Sequence, residues 1–368
     1  MTDTPLKDEI RRRITLAGPI PVRQFMEMCL THPEHGYYMT RDPLGRAGDF
    51  ITSPEISQVF GELVGLWAAS AWHLMAQPDN VRLIELGPGR GTMMLDAMRA
   101  AQVVPAFRQA IVLHLVEISP ALRERQQQAF AALDVPVMWH QSFDEVPDGP
   151  AIVLANEFFD ALPVNQAIKQ FNGWYERVVE LDPDGNLKFG LANETIPLFE
   201  QLVPAALRDA PIGTIYEWRG DNLPLAIGRR LAHQGGAALI IDYGYDKTAA
   251  GETLQAVSGH GYVDPLDAPG AADLTAHVDF QAFADAAESM GARVFGPIAQ
   301  ATFLRRLGIE KRVETLSALA PSELAAQIDS GVKRLIAEGP KDMGTLFKVM
   351  AIANPSLGTI PGFELETR

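Results

Sequence analysis

A short apolar strand that runs into a glycine-rich turn and out into a helix constrains architecture strongly, because it is the repeating step of a parallel α/β layer. Residues 83–94, "LIELGPGRGTMM", have that form. The dinucleotide fingerprint G-x-G-x-x-G would need a third glycine at position 92, where Thr92 stands. The P-loop pattern G-x-x-x-x-G-K-[ST] needs a lysine that does not follow. What remains is G-x-G-x-G at Gly87, Gly89 and Gly91, with Glu85 two residues ahead of the first glycine.

The rest of the chain repeats the same rhythm. Apolar runs at 82–86, 110–118, 135–141, 150–158 and 235–244 predict strands, with a sixth near 293 and a last one over 344–353. They are apolar throughout rather than alternating, as in a parallel sheet covered on both faces. Helices are expected over 5–17, up to Leu30, from Ser53 onward as one long element, to about Ala101, over 119–133, and late in the chain around Ile328 and Val332. Ser53 and Ser119 each precede a proline, the signature of a helix start. The interval 165–235 breaks the rhythm. Asn172-Gly173 and Asp184-Gly185 join β-rich stretches there and predict antiparallel hairpins. The reading is therefore a helical N-terminal extension over 1–80, a core built from 81–164 and 236–353, and an inserted antiparallel subdomain over 165–235. The Gly/Asp/Pro-rich stretch 245–277 reads as a long active-site loop.

The 368 residues suffice for a large core, and the formal net charge of −15 argues against a nucleic-acid partner. The basic run Arg11-Arg12-Arg13 reads as a solvated helix face. The single cysteine, Cys29, excludes an internal disulfide and suits a reducing compartment. The N-terminal stretch lacks an apolar signal core, and no run approaches a membrane span. A bacterial cytoplasmic protein is expected, or a mitochondrial matrix protein if the source is eukaryotic. His32 and His35 have ligand-like spacing but no Cys or acid cluster beside them, so no metal is expected.

The G-x-G-x-G spacing with an acid before it is similar to that of class I S-adenosylmethionine-dependent methyltransferases. Their cofactor carries an amino-acid end, a sulfonium and a ribosyl adenine, and no phosphate. Glycines let the backbone pass close to such a ligand. Glu85 can sit near its ammonium, and Glu117 in "LHLVEIS" stands where a second acid would accept the ribose hydroxyls. The plainer alternative is a tight turn with Glu117 as a helix cap. Longer motifs carry a closer resemblance: "GDFITSPEIS" (48–57), "ELGPGRGTMM" (85–94), "HLVEISPALRERQ" (114–126), "ANEFFDALPV" (155–164), "DYGY" (242–245) and "DPLDAPGAADLTAHVDF" (264–280). Together they resemble the MidA-like family of bacterial and mitochondrial methyltransferases, related to an assembly factor of respiratory complex I. The resemblance implies S-adenosylmethionine as cofactor and a protein arginine methyltransferase acting on a subunit of the NADH–quinone oxidoreductase. It places the cofactor on Gly87, Gly89 and Gly91, with Glu117 on the ribose, and the loop after the third strand against the adenine, where Ser142 and Phe143 are the candidates.

The acceptor site is expected at the carboxyl end of the fourth strand, outside the sheet edge. There Glu157 and Asp160 can grip a guanidinium in bidentate fashion, and Asn156 can add a contact. Asp49 is expected to close over the cofactor. Asp242 and Tyr243 are expected to face the substrate, and His260 or His277 is a candidate general base. Two rival readings stay open at this stage, a dinucleotide-binding oxidoreductase and a non-catalytic assembly factor that binds the cofactor for stability.

Overall fold

The structure is a computed structural model and describes residues 4–40, 52–259 and 261–364. Its centre is a sheet of seven long strands: β1 (Val81–Leu86), β2 (Ile111–Val116), β3 (Val137–His140), β4 (Ala151–Asn156), β5 (Gly236–Tyr245), β6 (Arg293–Ala299) and β7 (Phe347–Ala353). Their spatial order is 3-2-1-4-5-7-6. Strands β1 to β5 pair in parallel, and β7 runs antiparallel to both β5 and β6. The apolar runs follow from burial on both faces. In β4 and β5, Ile152, Leu154, Leu239 and Ile241 enter one core, while Val153, Ala155, Ala238 and Ile240 enter the core on the opposite face.

The order of strands reverses between β1 and β4, and a crevice opens outside the carboxyl ends at such a switch point. Ladder bonds run one residue past three strand ends: Gly87 N–H to Val116 O at 3.0 Å, Glu117 N–H to His140 O at 3.0 Å, and Glu157 N–H to Ile241 O at 2.9 Å. Gly87, Glu117 and Glu157 are thereby fixed along one edge of the sheet.

Three details differ from the sequence-based expectation. The helix expected to run on from Ser53 breaks into Ser53–Ile56 and Gln58–Leu74. Ser57 leaves the helical region at φ −154° and its hydroxyl caps the second piece through the Val59 N–H. Residues 222–234, read as part of the antiparallel insertion, instead form helix Asn222–Gln234, which packs Ile227 and Leu231 into the core beneath the sheet. The long stretch after β5 contains a small antiparallel sheet of Gln255–Ser258, Gly261–Val263 and Asp273–Thr275.

The inserted strands Asn165–Gln170, Gly173–Leu181, Leu187–Thr195 and Ile215–Trp218 form an antiparallel sheet. The N-terminal segment joins it, because Ile20–Pro21 pairs with Val178 and Val179. Leu6, Ile10 and Phe25 of the N-terminal helices share one core with Val164, Val179, Leu254 and Leu274.

Candidate active site

The glycine loop bends between β1 and helix Thr92–Ala100. Gly87, Gly89 and Gly91 all stand at positive φ, 61°, 54° and 82°, a region that disfavours side chains. A Cβ on Gly87 would also meet the Phe158 ring at 2.7 Å, and one on Gly91 would meet the Phe130 ring at 2.5 Å. The loop thus lies flat against its neighbours and leaves its open side to a cavity.

That cavity is lined by Glu85, Gly87, Gly89, Glu117, Asn156, Glu157 and Asp160, so most of the sequence candidates come together. Gly91 instead caps the following helix. Phe143 turns into the core under Arg230, whose guanidinium lies 5.6 Å from its ring centre, and Ser142 is exposed. Neither lines the cavity. Asp49 and His260 lie outside the described residues. His277 lines a second cavity rather than this one. Tyr243 does reach the first, and its ring meets His277 edge-on at 5.3 Å. Asp242, expected to face the substrate, is fully buried. Its Oδ2 accepts the N–H groups of Phe158, Phe159 and Asp160 at 3.2, 2.9 and 3.2 Å. Three donors converging on one oxygen make it the anchor of the loop after β4 and leave it no part in the cavity wall.

The cavity is acidic. Among the described residues six acids line it, Glu55, Glu85, Glu117, Glu157, Asp160 and Asp273, against one cation, Arg90. Burial, followed by the charge of Glu117, pushes Glu85 up to about 8. Its Oε2 is buried without a hydrogen-bond partner. Glu157 sits at φ 51°, a strained position for a side-chain-bearing residue that aims it from the strand end. Its Oε1 accepts the Ser53 N–H at 2.9 Å and the Asn156 amide at 3.2 Å. These bonds favour the charged form, yet burial outweighs them and raises Glu157 to about 7. Asp160 is also pushed up by burial, against the Tyr243 hydroxyl that donates to it. Asn156 Oδ1 and Asp160 Oδ1 are buried without partners.

Several residues in or behind the wall were not among the site candidates read from the sequence. Gln126 is fully buried, and its Nε2 donates to Gly89 O at 2.7 Å and to Glu117 Oε2 at 3.2 Å. The Trp139 indole N–H donates to Gln126 Oε1 at 2.9 Å and fixes which way that amide faces. The Ser119 N–H holds Glu117 Oε1 at 2.8 Å. Glu55 accepts from the Thr92 hydroxyl at 2.5 Å, and Tyr38 donates to Asp273 at 2.9 Å across 235 residues of sequence. The capping pattern marked Ser119 and Glu55, but nothing local marks Gln126, Tyr38 or Asp273.

A glycine turn against the backbone, an acid at each of two adjacent strand ends and this strand order define the class I methyltransferase fold. Comparison with known proteins agrees. Residues 63–298 match the family described as "Putative S-adenosyl-L-methionine-dependent methyltransferase". The chain belongs to that family, and its cofactor is S-adenosylmethionine. It is 38% identical to the protein arginine methyltransferase NDUFAF7 homolog of Drosophila melanogaster, over 94% of this chain and 84% of that one, and that protein is mitochondrial. It is 37% identical to the mitochondrial protein arginine methyltransferase NDUFAF7 of Homo sapiens, over 95% and 83% of the two chains. A Burkholderia thailandensis protein crystallised with S-adenosyl-homocysteine superimposes with a TM-score of 0.84 at 29% identity, covering 99% of this chain and 97% of that one. The unpartnered buried oxygens of Glu85, Asn156 and Asp160 match a ligand rich in N–H and O–H donors, so the residues present fit this cofactor. Among the described residues no helix is long and apolar enough to cross a membrane.

Proposed function

We propose that the enzyme methylates an arginine side chain of a protein, a subunit of the NADH–quinone oxidoreductase, in the bacterial cytoplasm or the mitochondrial matrix. The names of the relatives support arginine as the acceptor, and the sequence motifs above support the complex I target. The observation that carries the reading is the carboxylate pair at the end of β4. Glu157 takes the bonds from Ser53 and Asn156 on Oε1, and Asp160 Oδ1 is buried without a partner, beside a cavity that among the described residues is lined by one arginine and six acids. A protonated guanidinium supplies the donors and the charge that this pair lacks.

When bound, S-adenosylmethionine supplies a methyl group activated by its sulfonium. Glu85 meets its ammonium and Glu117 its ribose hydroxyls, with Gln126 holding Glu117 and the glycine loop in register. Glu157 and Asp160 turn one guanidinium nitrogen toward the reacting centre. Burial of both acids keeps water out and strengthens that grip. Glu157, raised to about 7, takes the proton the guanidinium gives up on methylation at Oε2. The test is transfer of isotope-labelled methyl to purified complex I subunits, with the modified residue read by mass spectrometry. Label on an arginine is expected. Label on another residue type, or on a small molecule alone, overturns the reading.

A further inference from the structure

A second cavity lies beside the first. The two share Leu162, and the adjacent residues Phe158 and Phe159 line one each, with ring centres 5.2 Å apart. The barrier between them is therefore about one side-chain layer. Arg219 braces that barrier. Its guanidinium donates to the main-chain oxygens of Asp160, Leu162, Ala276 and His277, at 3.0, 3.0, 2.6 and 2.7 Å.

The second cavity carries polar groups that the fold leaves wholly or partly unused. Tyr216 is 7% exposed, yet its hydroxyl has no hydrogen-bond partner among the described residues. Its ring stacks on Trp218 at 5.7 Å and 15°. Asp279 accepts the Ala282 N–H on Oδ1 at 3.0 Å, while its Oδ2 is buried without a partner. Asp221 stands at the start of helix Asn222–Gln234 without capping it through its side chain. The charge of Asp279 adds to burial in pushing both Asp221 and Tyr216 up, so the three groups face one another. Among the described residues none of the basic groups present is paired with them. Arg219 spends its donors on carbonyls, Arg23 is exposed, and burial pushes His277 below its ordinary value, toward the neutral form. Glu217 is already engaged by Gln166, Thr253 and Leu254. Aromatic faces beside the Asp221 carboxylate, the open Oδ2 of Asp279 and the Tyr216 hydroxyl form a receptor for a cation with N–H donors.

We propose that this second cavity binds another basic side chain of the protein substrate while the target arginine occupies the first. The proposal rests on the reading of a protein substrate given above. It makes the enzyme a reader of a pair of basic residues, which a pocket for one guanidinium cannot distinguish from any exposed arginine.

The probe is Nα-acetylarginine amide, titrated into the full chain saturated with S-adenosyl-homocysteine and followed by tryptophan fluorescence, since Trp218 lines this cavity. The double variant Y216F/D221N removes only groups that bond nothing within the fold. A saturable signal in the wild type, lost in W218F and weakened at least about tenfold in Y216F/D221N, is expected. With peptides carrying one or two arginines, the double variant should raise KM for the two-arginine peptide by the same factor and leave kcat within about twofold. If arginine is not the acceptor, neither enzyme turns the peptides over, while the fluorescence titration still responds to Y216F/D221N. No saturable signal in the wild type, or less than tenfold weakening in the double variant, overturns the proposal.

Discussion

Replacing Gln126 by leucine tests how far the ribose-side acid depends on its support. The leucine keeps the volume and removes every polar contact of the amide. Two donated hydrogen bonds disappear, one to the Gly89 carbonyl and one to the Glu117 carboxylate, together with the one received from Trp139. A neutral bond contributes about 1 kcal/mol net and one to a charged group about 1.5–3 kcal/mol. Glu117 keeps its bond from the Ser119 N–H, so only part of that sum reaches the ligand. We take about 2 kcal/mol, which is close to a thirtyfold weakening of cofactor binding. Calorimetric titration with S-adenosyl-homocysteine reads the dissociation constant, with thermal unfolding as the control for stability. A general loss of structure would weaken every ligand alike. If Gln126 acts through Glu117 on the ribose, the penalty shrinks to a few-fold for the 2′-deoxy analogue, which offers that acid one hydroxyl fewer. A dissociation constant within twofold of wild type, or the same penalty for both ligands, refutes the reasoning.

Other outcomes follow from the same site. Gly89→Val sets a branched side chain at φ 54° against the cofactor; we expect binding of S-adenosylmethionine to be lost while the circular dichroism spectrum is kept, and normal binding would contradict the loop assignment. Glu157→Gln can keep the Ser53 N–H on its amide oxygen but removes the charge; single-turnover transfer should fall at least ~100-fold, about 3 kcal/mol, with cofactor affinity within twofold. For pH, Glu85 at about 8 and Glu157 at about 7 lie above the ordinary carboxylate value of 4.5 in the free folded protein. The folded state therefore holds protons that the unfolded chain has released. The contribution of these two groups to the stability of the free protein is fullest below about 4.5 and falls as pH rises toward 8, by up to ~1.4 kcal/mol per unit for each group. An ammonium at Glu85 favours the charged form, so binding releases a proton, and cofactor affinity should rise at least tenfold from pH 5.5 to 7.5. Titration in buffers of different ionisation heat checks this, and a flat profile with no proton release would remove Glu85 from the ammonium.

The sheet was legible because burial on both faces makes each strand a continuous apolar run, as in "AIVLHLV" and "AALIIDY". The glycine loop and the acids at the strand ends were legible because their positions are set by local backbone geometry and by the next residue in the ladder. Contacts between distant segments were not. Tyr38 meets Asp273 because the N-terminal helices fold back over the insertion and over the stretch that follows β5, and no local pattern encodes that. The break at Ser57 was hidden because both flanking pieces favour a helix, while the Ser53 N–H is drawn off to Glu157. Asp242 looked like a substrate ligand because it stands near the carboxyl end of a central strand. Whether such an acid faces outward depends on the loop beside it, and here three N–H groups claim it.

The shared core of the N-terminal segment and the insertion also sets an order of events during synthesis. Leu6, Ile10 and Phe25 leave the ribosome early, yet the side chains that cover them, from Val164 through Leu274, are made roughly 140 to 270 residues later. At about 5–20 residues per second the delay is on the order of tens of seconds. Throughout that time the first helices carry an uncovered apolar face, and the wall that Leu30, Thr31 and Tyr38 give to the cavity does not exist. Cofactor can therefore be enclosed only once the segment through Asp273 and Leu274 has been made, which ties a competent site to the synthesis of that segment and leaves the apolar face of the early helices uncovered until then.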